Sequence, residues 1–315
     1  MPELPDVTVY VERIAERVVG TRLEKVRLAS PFVLRSVNPT ISEANGKAVR
    51  KVRRLGKRII VELDDDLALV IHLMVSGRFR WLEPGGKIPG KIGLAAFDFE
   101  KGSLILTEAS SKKRASIHLV RGSLEEHERG GLEVESSTLD QFVAAMTREN
   151  HTLKRSLTDP TILSGIGNAY SDEILHRAKL SPMKQTSQMA AADWKTLRDA
   201  TLAILREWTD VLRKESEDRF PENVTAFREG MAVHGRYGKP CPVCGAPVQR
   251  IIYADNETNY CAKCQTGGKL LADRSLSRLL KADWPRTLEE MEEKRPAVQR
   301  SPNPERSTRV PRKRP

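Results

Sequence analysis

The sequence predicts a multidomain α+β protein, with an N-terminal antiparallel β-sandwich, a flanking helix, and a helical C-terminal region that carries a β-hairpin metal module. Three observations predict this class. Short apolar runs at near-regular spacing fill residues 22–120, helical periodicity dominates after residue 136, and four cysteines lie within 24 residues. The length of 315 residues suits two domains of ordinary size with an additional module.

One helix and eight strands account for the first predicted domain, residues 1–131. Apolar residues recur at helical spacing over Asp6–Val19, and Gly20 marks the end of that helix. Turn residues bound each of the short apolar runs that follow, which favours an antiparallel sandwich or barrel. The predicted strands are Arg22–Leu28, Val49–Leu55, Ile59–Leu63, Leu69–Met74, Arg78–Leu82, Ala95–Phe99, Leu104–Thr107 and Ser116–Val120.

Helical spacing returns after Ser136, and residues 132–230 form the second predicted domain. Ala192–Arg213 is the clearest helix, because its apolar residues recur every three or four positions as a core-facing stripe. Residues 215–230 read as a polar loop. The other predicted helices are Leu139–Thr147, Leu153–Leu157, Ala169–Ala178 and, in a C-terminal extension at 269–315, Ala272–Lys281. A Pro-, Arg- and Ser-rich composition predicts disorder from 294.

The charge balance points to a polyanionic partner. The net charge is +11, and eight Lys/Arg with one Glu in 294–315 supply much of it. Because the rest of the chain is only mildly basic, we expect its binding face to be a local patch. No apolar run reaches the roughly 18 residues of a membrane helix. The acidic, proline-containing N-terminus is unlike a signal or transit peptide, so we expect a cytoplasmic protein.

The cysteines follow the spacing C-x2-C-x16-C-x2-C within residues 231–268. Paired knuckles of this kind surround one metal with four thiolates, which leaves no open position for catalysis. We therefore predict one structural Zn²⁺. An iron–sulfur site or a redox dithiol is the alternative, and nothing else in the sequence supports either. The predicted ligands are Cys241, Cys244, Cys261 and Cys264.

Pro2 is a candidate nucleophile. Removal of Met1 exposes its secondary amine, and an α-amino group titrates near pH 8, so part of it is neutral at pH 7. Such an amine attacks an electrophilic sugar carbon and forms an iminium. Glu3 is placed to transfer protons at the same centre. Met-Pro starts are common, however, and on its own Pro2 carries little weight.

Five separated segments then match one pattern in order along the chain. They are Pro2–Val7, Arg53–Arg58, His72–Gly77, Leu163–Glu173 and Val233–Cys241. Together they resemble the formamidopyrimidine-DNA glycosylase / endonuclease VIII family. The resemblance implies a repair glycosylase that excises oxidised or ring-opened bases from duplex DNA. It also implies AP lyase cleavage through a Schiff base on the N-terminal proline, and a helix-two-turns-helix domain before the zinc finger.

The same resemblance implies roles for particular residues. The implied catalytic residues are Pro2, Glu3 and Lys57: Pro2 is the nucleophile at C1′, Glu3 handles proton transfer, and Lys57 occupies the position of a hairpin lysine that also contacts phosphate. Met74 fills the space left by the flipped nucleotide, because excision requires the base to leave the duplex. Lys154 and Asn168 hold phosphates, and the turn at 165–168 lets backbone N–H groups approach them. Taken alone, Lys57 reads as a solvated charge, and Met74 reads equally well as core.

Three segments depart from the family pattern. At Glu108–Ala115 the aromatic residue of the purine-preferring members is missing, and either Lys113 or Arg114 is left to fill the void. Asn256 stands where an arginine usually meets the phosphates, and its neighbours Asp255 and Glu257 make that hairpin tip acidic. The loop at Glu215–Phe227 is acidic and short. We therefore expect weak 8-oxoguanine specificity, with oxidised pyrimidines, ring-opened purines and abasic sites left open.

The expected partner is damaged double-stranded DNA, bound through phosphates and therefore in a salt-sensitive way. We expect a monomer at the nucleoid, with no membrane and no nucleotide cofactor. The alternative is a catalytically diverged protein of the same fold that binds lesions or abasic sites, motivated by Ala109–Ala115 and Asn256. A zinc-ribbon protein that binds RNA or the ribosome would leave the N-terminal motif unexplained. The basic tail is predicted to raise non-specific DNA affinity or to recruit a partner.

Overall fold

The fold is taken from a computed structural model that describes residues 1–217, 219–222, 224–225, 227–253, 256–272, 279 and 284–294. Nearly all of the predicted helix Ala272–Lys281 lies outside these residues, as do Asp255 and the tail beyond Lys294. Within the described part, no helix is long and apolar enough to cross a membrane.

The N-terminal domain begins with one helix and continues with eight antiparallel strands. The sheet order is β5-β7-β6-β1-β2-β3-β4-β8. β1 and β2 pair only through Arg22–Ala48 and Leu23–Lys47. The elements are α1 (Leu4–Val18), β1 (Arg22–Leu28), β2 (Lys47–Leu55), β3 (Arg58–Leu63), β4 (Leu67–His72), β5 (Gly77–Leu82), β6 (Gly93–Phe99), β7 (Gly102–Glu108) and β8 (Ser116–Arg121).

Both halves of this sheet contribute to a single core. Val26 and Phe97 from one half and Ile59 and Ile71 from the other belong to one buried cluster, together with Tyr10 of α1. Along β3 and β4, successive residues face opposite sides of the sheet, so Ile59 and Ile71 join this core while Ile60 and Val70 belong to a separate buried cluster. The predicted class, a β-sandwich with a flanking helix, is confirmed.

The helical region consists of α2 (Leu139–Met146), α3 (Leu153–Thr158), α4 (Asn168–Arg177) and α5 (Ala191–Glu215). Its core is a separate cluster built around the apolar faces of α4 and α5. Leu4 of α1 belongs to this second cluster rather than to the sheet core. The start of α1 is therefore inserted between the two domains, which places the chain's N-terminus at their junction.

A hairpin of β9 (Val248–Tyr253) and β10 (Asn256–Cys261) carries the cysteines, followed by α6 (Ala262–Thr266) and α7 (Leu288–Glu293). Two predictions need correction. The strand predicted at Leu69–Met74 ends at His72, because Gly77 N donates to Leu73 O at 2.8 Å and the chain turns there. The predicted polar loop at 215–230 is partly core: Phe220 and Val224 are buried in the sheet cluster.

Candidate active site

The N-terminus of α4 holds the carboxylate of Glu3. Glu3 is 3% exposed and accepts hydrogen bonds from the backbone N–H groups of Gly167 (2.7 Å), Ala169 (2.9 Å) and Tyr170 (3.3 Å). The first turn of a helix has N–H groups without helical partners, and its dipole favours negative charge. The structure therefore supplies a fixed, buried position for this carboxylate. Glu3 N also donates to Asp6 Oδ2 at 2.9 Å, which fixes the start of α1.

Gly167 makes this approach possible. A Cβ atom at position 167 would lie 2.5 Å from Glu3 Cδ and 2.8 Å from Lys57 Nζ. Only a glycine lets the two side chains come so close to the helix start. The same distances show that Lys57 and Glu3 meet at one point. Burial lowers the pKa of Lys57, and the negative charge of Glu3 opposes that shift.

Next to this point is a cavity of about 600 Å³. Met1, Lys57, Arg58, His72 and Arg129 lie in its wall. Burial lowers the pKa of the Met1 terminal amine, and the negative charge of Glu3 opposes that shift. Burial, reinforced by Arg58 and Lys57, lowers the pKa of His72 to about 4. Met1 therefore lines a cavity that holds cationic side chains, two carboxylates (Glu128 and Glu133) and a neutral imidazole.

Lys154 is bound by the first half of α4. Its Nζ donates to Asp172 Oδ1 at 2.5 Å, and to Asn168 O and Ser171 Oγ at 2.8 Å each. These three bonds use all three ammonium protons. Asp172 is 1% exposed and also contacts His234 Nδ1 (2.7 Å). In this arrangement Lys154 is fixed by protein groups, and its phosphate contact stays a prediction.

Helix α4 also anchors the cysteine module. Glu173 accepts from the backbone N–H groups of Ala232, Val233 and His234 at 2.7–2.9 Å, and burial raises its pKa. Asn168 Nδ2 donates to Glu257 O in β10 at 2.8 Å. Sequence reasoning missed Asp172, Glu173 and His234. The available signal was a pair of consecutive acids inside an otherwise buried helix.

The four predicted metal ligands come together. Their Sγ atoms all lie within 4.8 Å of one another, with Cys241–Cys264 at 4.0 Å and Cys244–Cys261 at 3.4 Å. Four thiolates about 2.3 Å from a shared centre need sulfur separations of this order. The cluster thus fits a structural zinc. His176 of α4 contacts Cys241 Sγ through Nε2 at 3.3 Å, so the module is attached to both ends of that helix.

The remaining predicted residues lie on loops. Met74 is half-buried with a left-handed backbone (φ 52°), whereas its neighbour Val75 is 54% exposed. Lys113 and Arg114 are exposed. Lys113 Nζ donates to Glu108 O, and the carboxylate of Glu108 accepts from Arg114 N at 2.8 Å. No hydrogen bond or ion pair joins these residues to Glu3 in the part of the chain that the structure describes.

The tip of the β9–β10 hairpin and the segment around Arg228, before the cysteine module, differ in how firmly they are held. Asn256 is exposed, while Glu257 contacts Arg250 at 3.5 Å and accepts from Asn259 Nδ2 at 3.1 Å. By contrast, Arg228 forms a buried ion pair with Asp6 at 3.1 Å, three residues from Glu3. The segment before the cysteine module is therefore fixed to the start of α1.

Three family models match the chain in succession. A formamidopyrimidine-DNA glycosylase N-terminal domain matches residues 1–129, and a formamidopyrimidine-DNA glycosylase H2TH domain matches residues 131–217. A zinc finger found in FPG and IleRS matches residues 238–267.

Individual relatives agree with these matches. A formamidopyrimidine-DNA glycosylase of Heliobacterium modesticaldum is 30% identical over 276 residues, which cover 84% of this chain and 100% of that protein. An uncharacterized formamidopyrimidine-DNA glycosylase-like protein of Mycobacterium tuberculosis is 41% identical over 142 residues, 45% of this chain and 88% of that protein. The solved complex between the Lactococcus lactis Fpg and an abasic site containing DNA superposes with a TM-score of 0.74, at 26% identity over 84% of this chain and 99% of that one.

Proposed function

The chain belongs to the formamidopyrimidine-DNA glycosylase family, and from this premise we propose that it excises oxidised or ring-opened bases from duplex DNA and cleaves the resulting abasic site. The observation that carries the proposal is the arrangement of groups around Glu3, which we call the Glu3 corner. A buried carboxylate, the amine of Lys57 and the N-terminus meet at the start of α4 beside a cavity. These groups suit covalent catalysis at a sugar carbon.

The proposed reaction runs through the amine of Pro2 after removal of Met1. Its lone pair attacks C1′ of the damaged nucleotide, the bond from C1′ to the base breaks, and the base leaves with a proton. Ring opening of the sugar gives an iminium between Pro2 and C1′. Loss of a proton from C2′ then expels the 3′ phosphate by β-elimination, and water releases the product from the proline. Glu3 carries protons at the sugar.

Phosphate contacts and a void-filling side chain complete the proposal. Lys57, Lys154 and Asn168 hold the phosphates around the lesion, and Met74 occupies the space of the flipped nucleotide. Lys113 and Arg114 lie on the loop where the purine-preferring members have an aromatic residue. The partner is damaged double-stranded DNA, in line with the abasic DNA bound by the Lactococcus lactis relative.

Borohydride trapping on an abasic duplex tests the proposal. The Met1-processed protein should form a covalent adduct, and Pro2→Thr should form none while it still binds the duplex. Pro84→Thr, in an exposed turn between β5 and β6, is the matched control and should trap like the parent protein. Duplex binding without any adduct from the parent protein contradicts the lyase.

A second candidate is a lesion-binding protein without turnover. It is favoured by the exposed Asn256 and by Ala109–Ala115, since both lie where the family places side chains against DNA. This candidate predicts tight binding of an abasic duplex with no adduct and no strand cleavage. The trapping experiment therefore distinguishes the two candidates.

A further inference from the structure

A second cavity, of about 710 Å³, opens beside β8 of the N-terminal domain. Its wall includes Arg35, Arg58, His118 and His127, and Glu126 is the one acidic residue among its described lining residues. The guanidinium of Arg35 makes no hydrogen bond or ion pair within the described ranges. The cavity therefore presents uncompensated positive charge, which suits an anionic ligand.

This basic cavity adjoins the one beside Lys57. Arg58 and His127 line both, and Arg58 Nη1 donates to His127 O at 2.9 Å, which holds the guanidinium at the boundary. Burial is the main cause of the lowered pKa of His72 and of His118; the charge of Arg58 adds to it at His72, and the charges of His127 and then Arg58 add to it at His118. Arg58 therefore adds positive charge to both cavities, and a polyanion bound at Lys57 would reach the second cavity by passing Arg58.

Exposed apolar side chains stand in the loop that borders the basic cavity. Phe32 is 78% exposed and Val37 is 89% exposed. The loop itself is fixed to β8: Arg35 N donates to Ile117 O at 2.8 Å, and Ser36 Oγ accepts from Leu119 N at 2.8 Å. A loop bonded to β8 thus holds an exposed aromatic ring three residues before Arg35, whose guanidinium has no partner among the described residues. This combination is typical of surfaces that bind single-stranded nucleic acid, where bases stack on the ring.

We propose that the surface formed by Phe32, Arg35, Arg58, His118 and His127 binds a single-stranded extension of the DNA strand that carries the lesion. The inference rests on the proposed function, because it takes the cavity beside Lys57 as the place of the damaged nucleotide. We infer that this extension is single-stranded because the exposed ring of Phe32 can stack on a base only where the base is unpaired. A duplex presents phosphates to such a surface and keeps its base faces stacked, so it leaves the ring without a partner.

Fluorescence anisotropy with the full chain tests the inference. Three probes carry the same tetrahydrofuran abasic analogue: a blunt duplex, and duplexes with a ten-nucleotide extension 5′ or 3′ of the lesion. One extension should raise the affinity about tenfold, the scale of stacking on one aromatic side chain. Phe32→Ala should remove most of that gain. Arg35→Ala should reduce it and lower the salt slope by about one.

Arg206→Ala is the matched control, since Arg206 is an exposed cation on α5 and its loss should leave the gain intact. Equal affinity for all three probes overturns the inference, and so does a Phe32→Ala protein that folds normally and keeps the full gain. Failure of the proposed function looks different. It would appear as equal binding of blunt abasic and blunt undamaged duplexes and as the absence of a borohydride adduct.

Discussion

The Glu3 corner and the hairpin tip at Asn256 both lie close to the start of α4, yet they are held in different ways. Glu3 is 3% exposed and accepts three backbone hydrogen bonds, whereas Asn256 is exposed at the first position of β10. Two of the three segments that depart from the family pattern, Asn256 and Ala109–Ala115, lie mostly at the surface, whereas the third, Glu215–Phe227, contributes Phe220 and Val224 to the sheet core. Buried hydrogen bonds thus hold Glu3 in place, whereas Asn256 and most of Ala109–Ala115 are held by fewer buried contacts.

Replacing Asp172 tests how much the buried ion pair between Asp172 and Lys154 contributes to the free energy of unfolding. Asp172→Asn leaves the ammonium of Lys154 without its counter-charge, and losing one partner of a buried ion pair costs about 3–5 kcal/mol. Urea denaturation should show a loss of that size. Asp199→Asn is the control, because the pair of Asp199 with Lys195 on α5 is exposed and should change stability by less than about 1 kcal/mol. Similar losses for both variants would show that the buried ion pair contributes no more to stability than the exposed one.

Gly167→Ala tests the geometry of the corner. The added methyl would lie 2.5 Å from Glu3 Cδ, so the carboxylate must move. Displacements of about 1 Å at a reacting centre can cost about a hundredfold in rate. Single-turnover cleavage of an abasic duplex should fall by that factor. Gly90→Ala, with no atom within 4 Å of the new Cβ, should match the parent protein; an unaffected Gly167→Ala protein would show that the corner is not needed.

The pH dependence of stability tests whether His72, in the cavity wall, is neutral in the folded protein. The folded pKa of His72 is about 4 against an ordinary 6.5, so the unfolded chain binds the proton first as the pH falls. Stability is therefore lost below about pH 6.5, and the loss reaches about 2 kcal/mol at pH 5. In His72→Gln the fall in unfolding free energy between pH 7.5 and pH 5 should be smaller by that amount. Identical pH profiles would contradict a half-buried imidazole that stays neutral in the folded protein.

Asn256→Arg tests the surface side and should have the smallest effect. An added cation at the hairpin tip gains at most one phosphate contact, so DNA affinity should rise about fivefold and the salt slope by about one. The rate of cleavage of bound abasic DNA should stay unchanged, because Asn256 makes no contact with Glu3 in the described structure. A change in that rate would show that tip and corner are coupled.

Sequence patterns predict the regular elements and the metal site well. Strand alternation, helical periodicity and the cysteine spacing are local signals, and the folded structure shows the elements that they predict. The strand predicted through Met74 is wrong at its end, because the apolar run continues past the turn that Leu73 O and Gly77 N close.

Contacts between distant segments are a different matter. Asp172 joins Lys154 and His234, which lie 18 and 62 positions away, and no local pattern encodes such pairing. Phe220 and Val224 are isolated apolar residues in a polar segment, so periodicity does not reveal their burial in the sheet core. The family resemblance placed Glu3 and Lys57 in one site, but only the structure shows that Gly167 lets them meet.

Locating the covalent bond in the trapped complex is the most direct test of the account. The Met1-processed protein is reduced with borohydride on an abasic duplex, the adduct is digested, and the modified peptide is sequenced by mass spectrometry. We predict that the sugar remnant lies on the nitrogen of Pro2 at the start of the N-terminal peptide. A remnant on Lys57 or another internal lysine, or no adduct from protein that binds the abasic duplex tightly, would contradict it.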